Sequence, residues 1–162
     1  VIEIWADGSS SGKSNLPGGW AFVIMQDDRV LSANYGGEPS TTNNAMELEG
    51  ARQGLLAWSR MVDRYPDEKQ VTLISDSQTT LGLATGQYTP SKNVERATEL
   101  RWLYHRYCTG IRWVRGHVGI LANERCDRLA KKGRKEQQAL LSKRDDTNGR
   151  DPSDGPENQT AP

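Results

Sequence analysis

Five residues of this chain are of types that could do chemistry together: the acids Asp7, Glu47, Asp76 and Asp127, and the imidazole of His117. Taken singly, each acid has an ordinary structural role. Asp7 precedes Gly8 at the end of an alternating stretch, and Asp-Gly is a common turn pair. Glu47 stands three residues after Asn44 at a helix start, the spacing of a capping box, where a carboxylate also suits the helix dipole. Asp76 lies between an apolar run and a helix, an N-cap position. Asp127 has Lys131 four residues on, an i,i+4 ion pair.

Taken together, the acids point elsewhere. Asp7 and Asp76 both fall at the carboxyl ends of strands, where ligands collect in open α/β sheets. Glu47 is expected in the first turn of the helix packed beside them, and Asp127 on a second helix. Carboxylates that converge on one edge repel each other unless cations intervene. A donor set of oxygens with no thiolate suits Mg²⁺ or Mn²⁺. Two such ions about 4 Å apart form a device for in-line attack on a phosphodiester. His117 sits in a loop between Gly116 and Gly119, ahead of the helix that carries Asp127, so its ring is expected to move relative to a fixed carboxylate.

The elements that must position these residues can be read from periodicity. VIEIWADG alternates and stops at Asp7-Gly8, as a strand ending in a turn should. WAFVIMQ and RVLSANYGG read as a hairpin joined at Asp27-Asp28. From Ala45 the apolar residues fall at Leu48, Ala51, Leu55, Trp58 and Val62, the spacing of a helix that ends before Pro66. VTLIS is almost continuously apolar and β-branched, which suits a buried parallel strand. TTLGLA forms a short helix, Asn93 to Tyr107 a longer one, IRWV a strand, and Leu121 to about Lys135 a last helix. The order βββαβααβα is that of an α/β protein, a mixed sheet with helices on its faces. Trp58 and Trp113 are expected in the core and His105 on a helix surface.

The 162 residues suit one domain, read as residues 1–141, followed by a polar segment at 142–162. That segment is rich in Gly, Pro, Asp and Asn and is expected to be a disordered tail. No apolar run approaches the roughly 20 residues of a membrane span. Cys108 and Cys126 match no zinc spacing and read as reduced thiols of a cytoplasmic protein. Net charge is zero but unevenly spread: residues 1–90 carry six Lys/Arg against eleven Asp/Glu, and residues 91–135 carry twelve against four. The second excess is concentrated enough to suggest nucleic acid. Within it Arg128, Lys131 and Lys135 recur at helical spacing; the row reads equally as a solvated helix end or as a phosphate-binding stripe.

The blocks DGS (7–9), TTNNAMEL (41–48), ISDSQ (74–78) and VRGHVGILANERCDRLA (114–130) resemble ribonuclease H, type 1. The likeness covers about residues 1–133, with the motifs in order. It implies a five-stranded mixed sheet whose first three strands are antiparallel, flanked by helices. It also implies endonucleolytic cleavage of the RNA strand of an RNA–DNA hybrid, leaving 3′-hydroxyl and 5′-phosphate ends. In this likeness Asp7, Glu47, Asp76 and Asp127 correspond to carboxylates holding two Mg²⁺ ions, for which Mn²⁺ can substitute. His117 corresponds to a mobile histidine that aids proton movement or product departure. Asn43, Asn44 and Gln78 match positions that reach the minor groove, where only the RNA strand offers 2′-hydroxyls. Thr42 matches a position that holds a phosphate of the DNA strand. The basic, Trp-containing protrusion of many relatives is missing between Asp76 and His117, and Ser40 stands where some relatives place an arginine. A monomer is expected. The rival reading is a catalytically silent module on the same fold that binds hybrids or a protein partner.

Overall fold

The computed structural model describes residues 1–149. Three strands open the chain, β1 (Ile2–Ser9), β2 (Leu16–Gln26) and β3 (Arg29–Thr41), followed by helix α1 (Asn43–Ser59). Strand β4 (Val71–Ser75), helices α2 (Gln78–Thr85) and α3 (Val94–Tyr107), strand β5 (Gly110–Trp113) and helix α4 (Leu121–Asn148) complete it. A short 3-10 turn at Val62–Arg64 takes the last apolar position assigned above to the first helix. The order is the expected βββαβααβα.

The sheet runs β3-β2-β1-β4-β5. β1 pairs antiparallel with β2 and β2 with β3, whereas β4 lies parallel to both β1 and β5. β2 and β3 close at Gln26↔Arg29, so Asp27 and Asp28 form a two-residue turn.

Alternation along β1 divides the core. Ile2, Ile4 and Ala6 pack with Leu48, Leu55 and Trp58 of α1 and with Leu100 and Leu103 of α3. Trp5 points to the other face and meets Val23, Ile74, Val114 and Cys126 of α4. One strand thus feeds two layers. Its alternation delivers Asp7 on the side of Trp5, towards α4.

Helix α4 approaches the sheet more closely than side chains would allow. A Cβ on Gly19 would collide with Ala130 O, and one on Gly133 with Gly36 O. These glycines let the helix backbone rest on the β2–β3 backbone. α1 is held from the opposite side by ions. Glu49 is buried, accepts from Arg52 Nη2 at 2.6 Å and Gln53 Nε2 at 2.8 Å, and lies 3.6 Å from Arg96 Nε. Burial alone would raise the Glu49 carboxyl, but these donors hold it below its ordinary range. Arg96 also donates to Glu38 on β3 and, at 3.2 Å, to Ala45 O in the first turn of α1.

Four expectations change here. Trp113 is 47% exposed instead of buried. β5 is an edge strand of four residues, paired on one side only, and its indole N–H serves instead as a donor to Asp76 O at 3.0 Å. α1 is capped by Thr42, whose Oγ1 accepts from Ala45 N at 3.2 Å, and not by the Asn44–Glu47 box. α2 likewise takes its cap from Ser77, which leaves the Asp76 carboxylate unused by the helix. Finally, α4 continues past Lys135 to Asn148, across the boundary expected at 142. The stretch QQALLSKR has good helix formers and neither Gly nor Pro, and the helix stops at Gly149. The rest of the expected tail, 150–162, lies outside the described residues. Trp58 is fully buried and His105 exposed, as expected.

Candidate active site

Three elements deliver three carboxylates to one end of the sheet. Asp7 comes from near the C-terminal end of β1, Glu47 from the second turn of α1, and Asp76 from the residue after β4. One carboxylate oxygen from each lies within 4.8 Å of the other two. Gly8 makes the approach possible, since a Cβ there would strike Glu47 N. Asp7 and Glu47 are 4% and 6% exposed, so the cluster is an acidic pocket and not a solvated rim.

Such an arrangement is costly without a cation. Burial, and then the charge of Asp76, push the Asp7 carboxyl up to about 7. Burial and then Asp7 raise Glu47 well above its ordinary range. Asp76 is raised as well, chiefly by burial, while the Asn123 amide and His117 favour its ionised form. Glu47 Oε2 is buried with no hydrogen-bond partner. Three carboxylates that close together, one with an unpartnered buried oxygen, form a donor set of the right hardness for Mg²⁺ or Mn²⁺.

The fourth acid stands apart. Asp127 is on α4 next to this cluster, and its charge is felt at both Asp7 and Asp76. Its carboxylate is not within the distance that unites the other three. Instead Oδ2 accepts from Lys131 Nζ at 2.7 Å.

His117 occupies the loop between β5 and α4, exposed, with φ of 57°. Its neighbour Gly116 touches the site directly: a Cβ there would lie 2.8 Å from Asp76 Oδ2. A side chain at this position would crowd the Asp76 carboxylate and require it to shift. Asn43, Asn44 and Gln78 are exposed at the starts of α1 and α2. Thr42 is half-buried, its hydroxyl engaged as the α1 cap.

Two residues around Asp76 were not singled out by sequence. Asn123 is 4% exposed, adjoins Asp76 and leaves Oδ1 without a partner. It lies four residues before Asp127, one helical turn away on the same face, which is a signal the sequence did carry. Trp113 fastens the Asp76 backbone, a role that no periodicity encodes.

The fold and the site together define an α/β protein with a buried, cation-seeking carboxylate cluster at one end of a mixed sheet. A family model described as RNase H matches residues 1–135. A ribonuclease H from Pseudomonas putida is 35% identical over 151 residues, which covers 85% of this chain and 96% of the relative. The chain belongs to the RNase H family, and another relative from the same species, 36% identical over 151 residues, is named ribonuclease HI. Among solved structures, the RNase H domain from Mycobacterium tuberculosis superposes with a TM-score of 0.71 at 21% identity, covering 86% of this chain and 97% of that one. A ribonuclease H1 in complex with an RNA/DNA hybrid gives 0.69 at 21% identity, covering 86% and 99%. At that identity the structural likeness speaks for the fold.

Proposed function

We propose that the protein is an endonuclease that hydrolyses the RNA strand of RNA–DNA hybrids, with Asp7, Glu47, Asp76 and Asp127 holding two Mg²⁺ ions, or Mn²⁺ in their place. The observation that carries this reading is the convergence of Asp7, Glu47 and Asp76 within 4.8 Å, with one buried oxygen of Glu47 unpartnered. Family membership supports the reaction, and the structural relative solved with a hybrid bound supports the substrate. No helix among the described residues is long and apolar enough to cross a membrane. The free thiols of Cys108 and Cys126 suit a reducing, cytoplasmic setting, and we read the protein as a monomer.

Divalent cations in this cluster supply charge neutralisation and water activation for in-line displacement at phosphorus. The residues then have distinct tasks. Asp7 and Glu47, whose burial favours protonation, would hold a cation in their ionised form. Asp76 is fixed through its backbone by Trp113 and by the neighbouring Asn123, so its carboxylate keeps its aim. Water adds to the phosphorus as the bond to the 3′-oxygen breaks, which leaves a 5′-phosphate on one fragment and a 3′-hydroxyl on the other. The 3′-oxygen needs a proton, and His117 is the titratable group on a loop able to carry one in. Asn43, Asn44 and Gln78 present amides at the exposed helix starts, where 2′-hydroxyls of the minor groove can be read. Thr42 is read as the contact to a phosphate of the DNA strand, to which its hydroxyl hydrogen can donate while the oxygen caps α1.

The test is cleavage of one uniformly labelled RNA–DNA hybrid beside duplex DNA and duplex RNA in Mg²⁺. The reading expects RNA fragments from the hybrid alone, ended in 3′-hydroxyls. An uncut hybrid that the protein nevertheless binds would establish the silent module instead.

A further inference from the structure

Beyond the carboxylate cluster, the outer face of α4 gathers four cations. Arg128, Lys131, Lys132 and Lys135 line one shallow hollow there, together with Glu136 and Ala139. Their i, i+3, i+4, i+7 spacing places them on a single helix face, and like charges at these spacings destabilise a helix. The fold offsets them only in part: Lys131 pairs with Asp127 at 2.7 Å, and Lys132 lies over the Tyr35 ring. Among the described residues, Arg128, Lys132 and Lys135 take part in no ion pair. Glu136, the acid nearest in the row, accepts a hydrogen bond from Tyr35 Oη at 2.9 Å, and Lys132 rests 5.1 Å from the centre of the same ring. Arg134 makes the contrast plain. It turns inward and donates to Ser10 O at 3.0 Å, so it is a cation the fold does use.

The row has a direction. Lys131 belongs to the hollow and also holds Asp127 at 2.7 Å, so the cations begin at the margin of the carboxylate cluster and lead away from it. From Arg128 to Lys135 the helix rises about 10 Å at roughly 1.5 Å per residue. That spans about three nucleotides at the ~3.4 Å axial spacing of phosphates along one strand. A row of this length and sign matches a polyanionic backbone better than a single anion.

We propose that this face of α4 docks the sugar–phosphate backbone of the RNA–DNA hybrid beside the cleavage site. The inference rests on the hybrid-cleaving reading above. It predicts contact with phosphates and no reading of bases, so the binding is independent of sequence and sensitive to salt.

The test compares the intact protein with the variant Arg128→Gln, Lys132→Gln, Lys135→Gln. Lys131 is kept because it touches Asp127. A charge-matched control replaces the exposed Arg29, Arg60 and Arg64 by Gln. Binding of a fluorescent RNA–DNA hybrid is measured in EDTA across a salt series, and circular dichroism verifies that each variant is folded. The stripe variant is expected to bind about tenfold more weakly at low salt. Its slope of log affinity against log salt should be shallower by roughly two to three, near 0.9 for each phosphate contact removed. The control should move less than about twofold. A stripe variant that matches the intact protein, or falls no further than the control, would overturn the proposal. Failure of the underlying reading looks different: the intact protein would leave the hybrid uncut in Mg²⁺ whatever the stripe variant does.

Discussion

Lys131 Nζ donates to Asp127 Oδ2 at 2.7 Å, across one turn of α4. The pair explains why three carboxylates converge and the fourth does not. Without a divalent cation, Asp127 has a closer positive charge on its own helix than any that the cluster offers. The lysine side chain is 45% exposed, so the attraction is screened and readily exchanged for a stronger one.

Replacing Lys131 by Gln is therefore expected to free Asp127 for the cluster and to tighten Mn²⁺ binding. An exposed pair contributes about 0.2–1 kcal/mol, which sets the gain at up to roughly fivefold in Kd. Calorimetric titration of the two proteins with Mn²⁺, without nucleic acid, makes the measurement. Equal affinities would mean that Asp127 takes no part in holding metal before substrate arrives.

Asp76→Asn keeps the shape of the side chain and removes its charge. Cleavage of hybrid in Mg²⁺ should fall by at least about 10³-fold, since several kcal/mol of charge stabilisation is lost with the ligand. In EDTA the same variant should melt no lower than the original and preferably higher, because Asp7 loses a buried like charge beside it. Retention of activity near the original level would take Asp76 out of the reaction.

The acids were legible because their spacing relative to strands and helices survives in one dimension. Asp7 ends an alternating run and Asp76 ends an apolar one, and both facts fix a carboxylate at the same sheet edge. What the sequence hid were contacts made across elements. Trp113 looked like core from its alternation in IRWV, yet whether a strand is central or at an edge depends on which partners it finds. Thr42 and Asn44 are both able caps, and only backbone geometry decides between them. The persistence of α4 beyond Lys135 is equally hidden: the Gly, Pro, Asp and Asn content from 142 onward suggests disorder, whereas the preferences of Gln, Ala, Leu, Lys and Arg carry the helix across that boundary.

His117→Ala should slow turnover without abolishing it. A group that aids proton transfer contributes about 10²–10⁴-fold at most, and a loop residue that is exposed in the absence of substrate belongs at the lower end. The loss in kcat should be smaller than that of Asp76→Asn, with KM little altered. A deficit as deep as that of Asp76→Asn would make His117 a ligand or the sole proton carrier.

Ending the chain after Ser142 removes the last part of α4, in which every described residue is exposed. Exposed substitutions away from special features cost within about 0.5 kcal/mol, and about 1 kcal/mol moves Tm by 2–4 °C at this size. The shortened protein should therefore melt within about 2 °C of the original and cleave hybrid at the same rate. A larger drop in a thermal melt would show that residues beyond 142 pack on the domain.

The strongest pH dependence should appear in the protein without metal. Asp7 titrates at about 7 when folded, against an ordinary carboxylate value near 4 when unfolded. Between those values the folded chain holds a proton at Asp7 that the unfolded chain has released. Stability contributed by that proton is fully present below about pH 4 and is lost as pH rises through about 7. Glu47 and Asp76 are shifted in the same direction and reinforce the trend. In EDTA, Tm is thus expected to decline from pH 5 to pH 7.5, and the decline should be shallower in Asp7→Asn, which has no proton to lose. Excess Mg²⁺ should restore Tm most at pH 7.5, where the carboxylates are ionised and the cation replaces the proton. A metal-free Tm that rises over this interval, or one that follows the same course in Asp7→Asn, would show that the cluster is not the source of the strain.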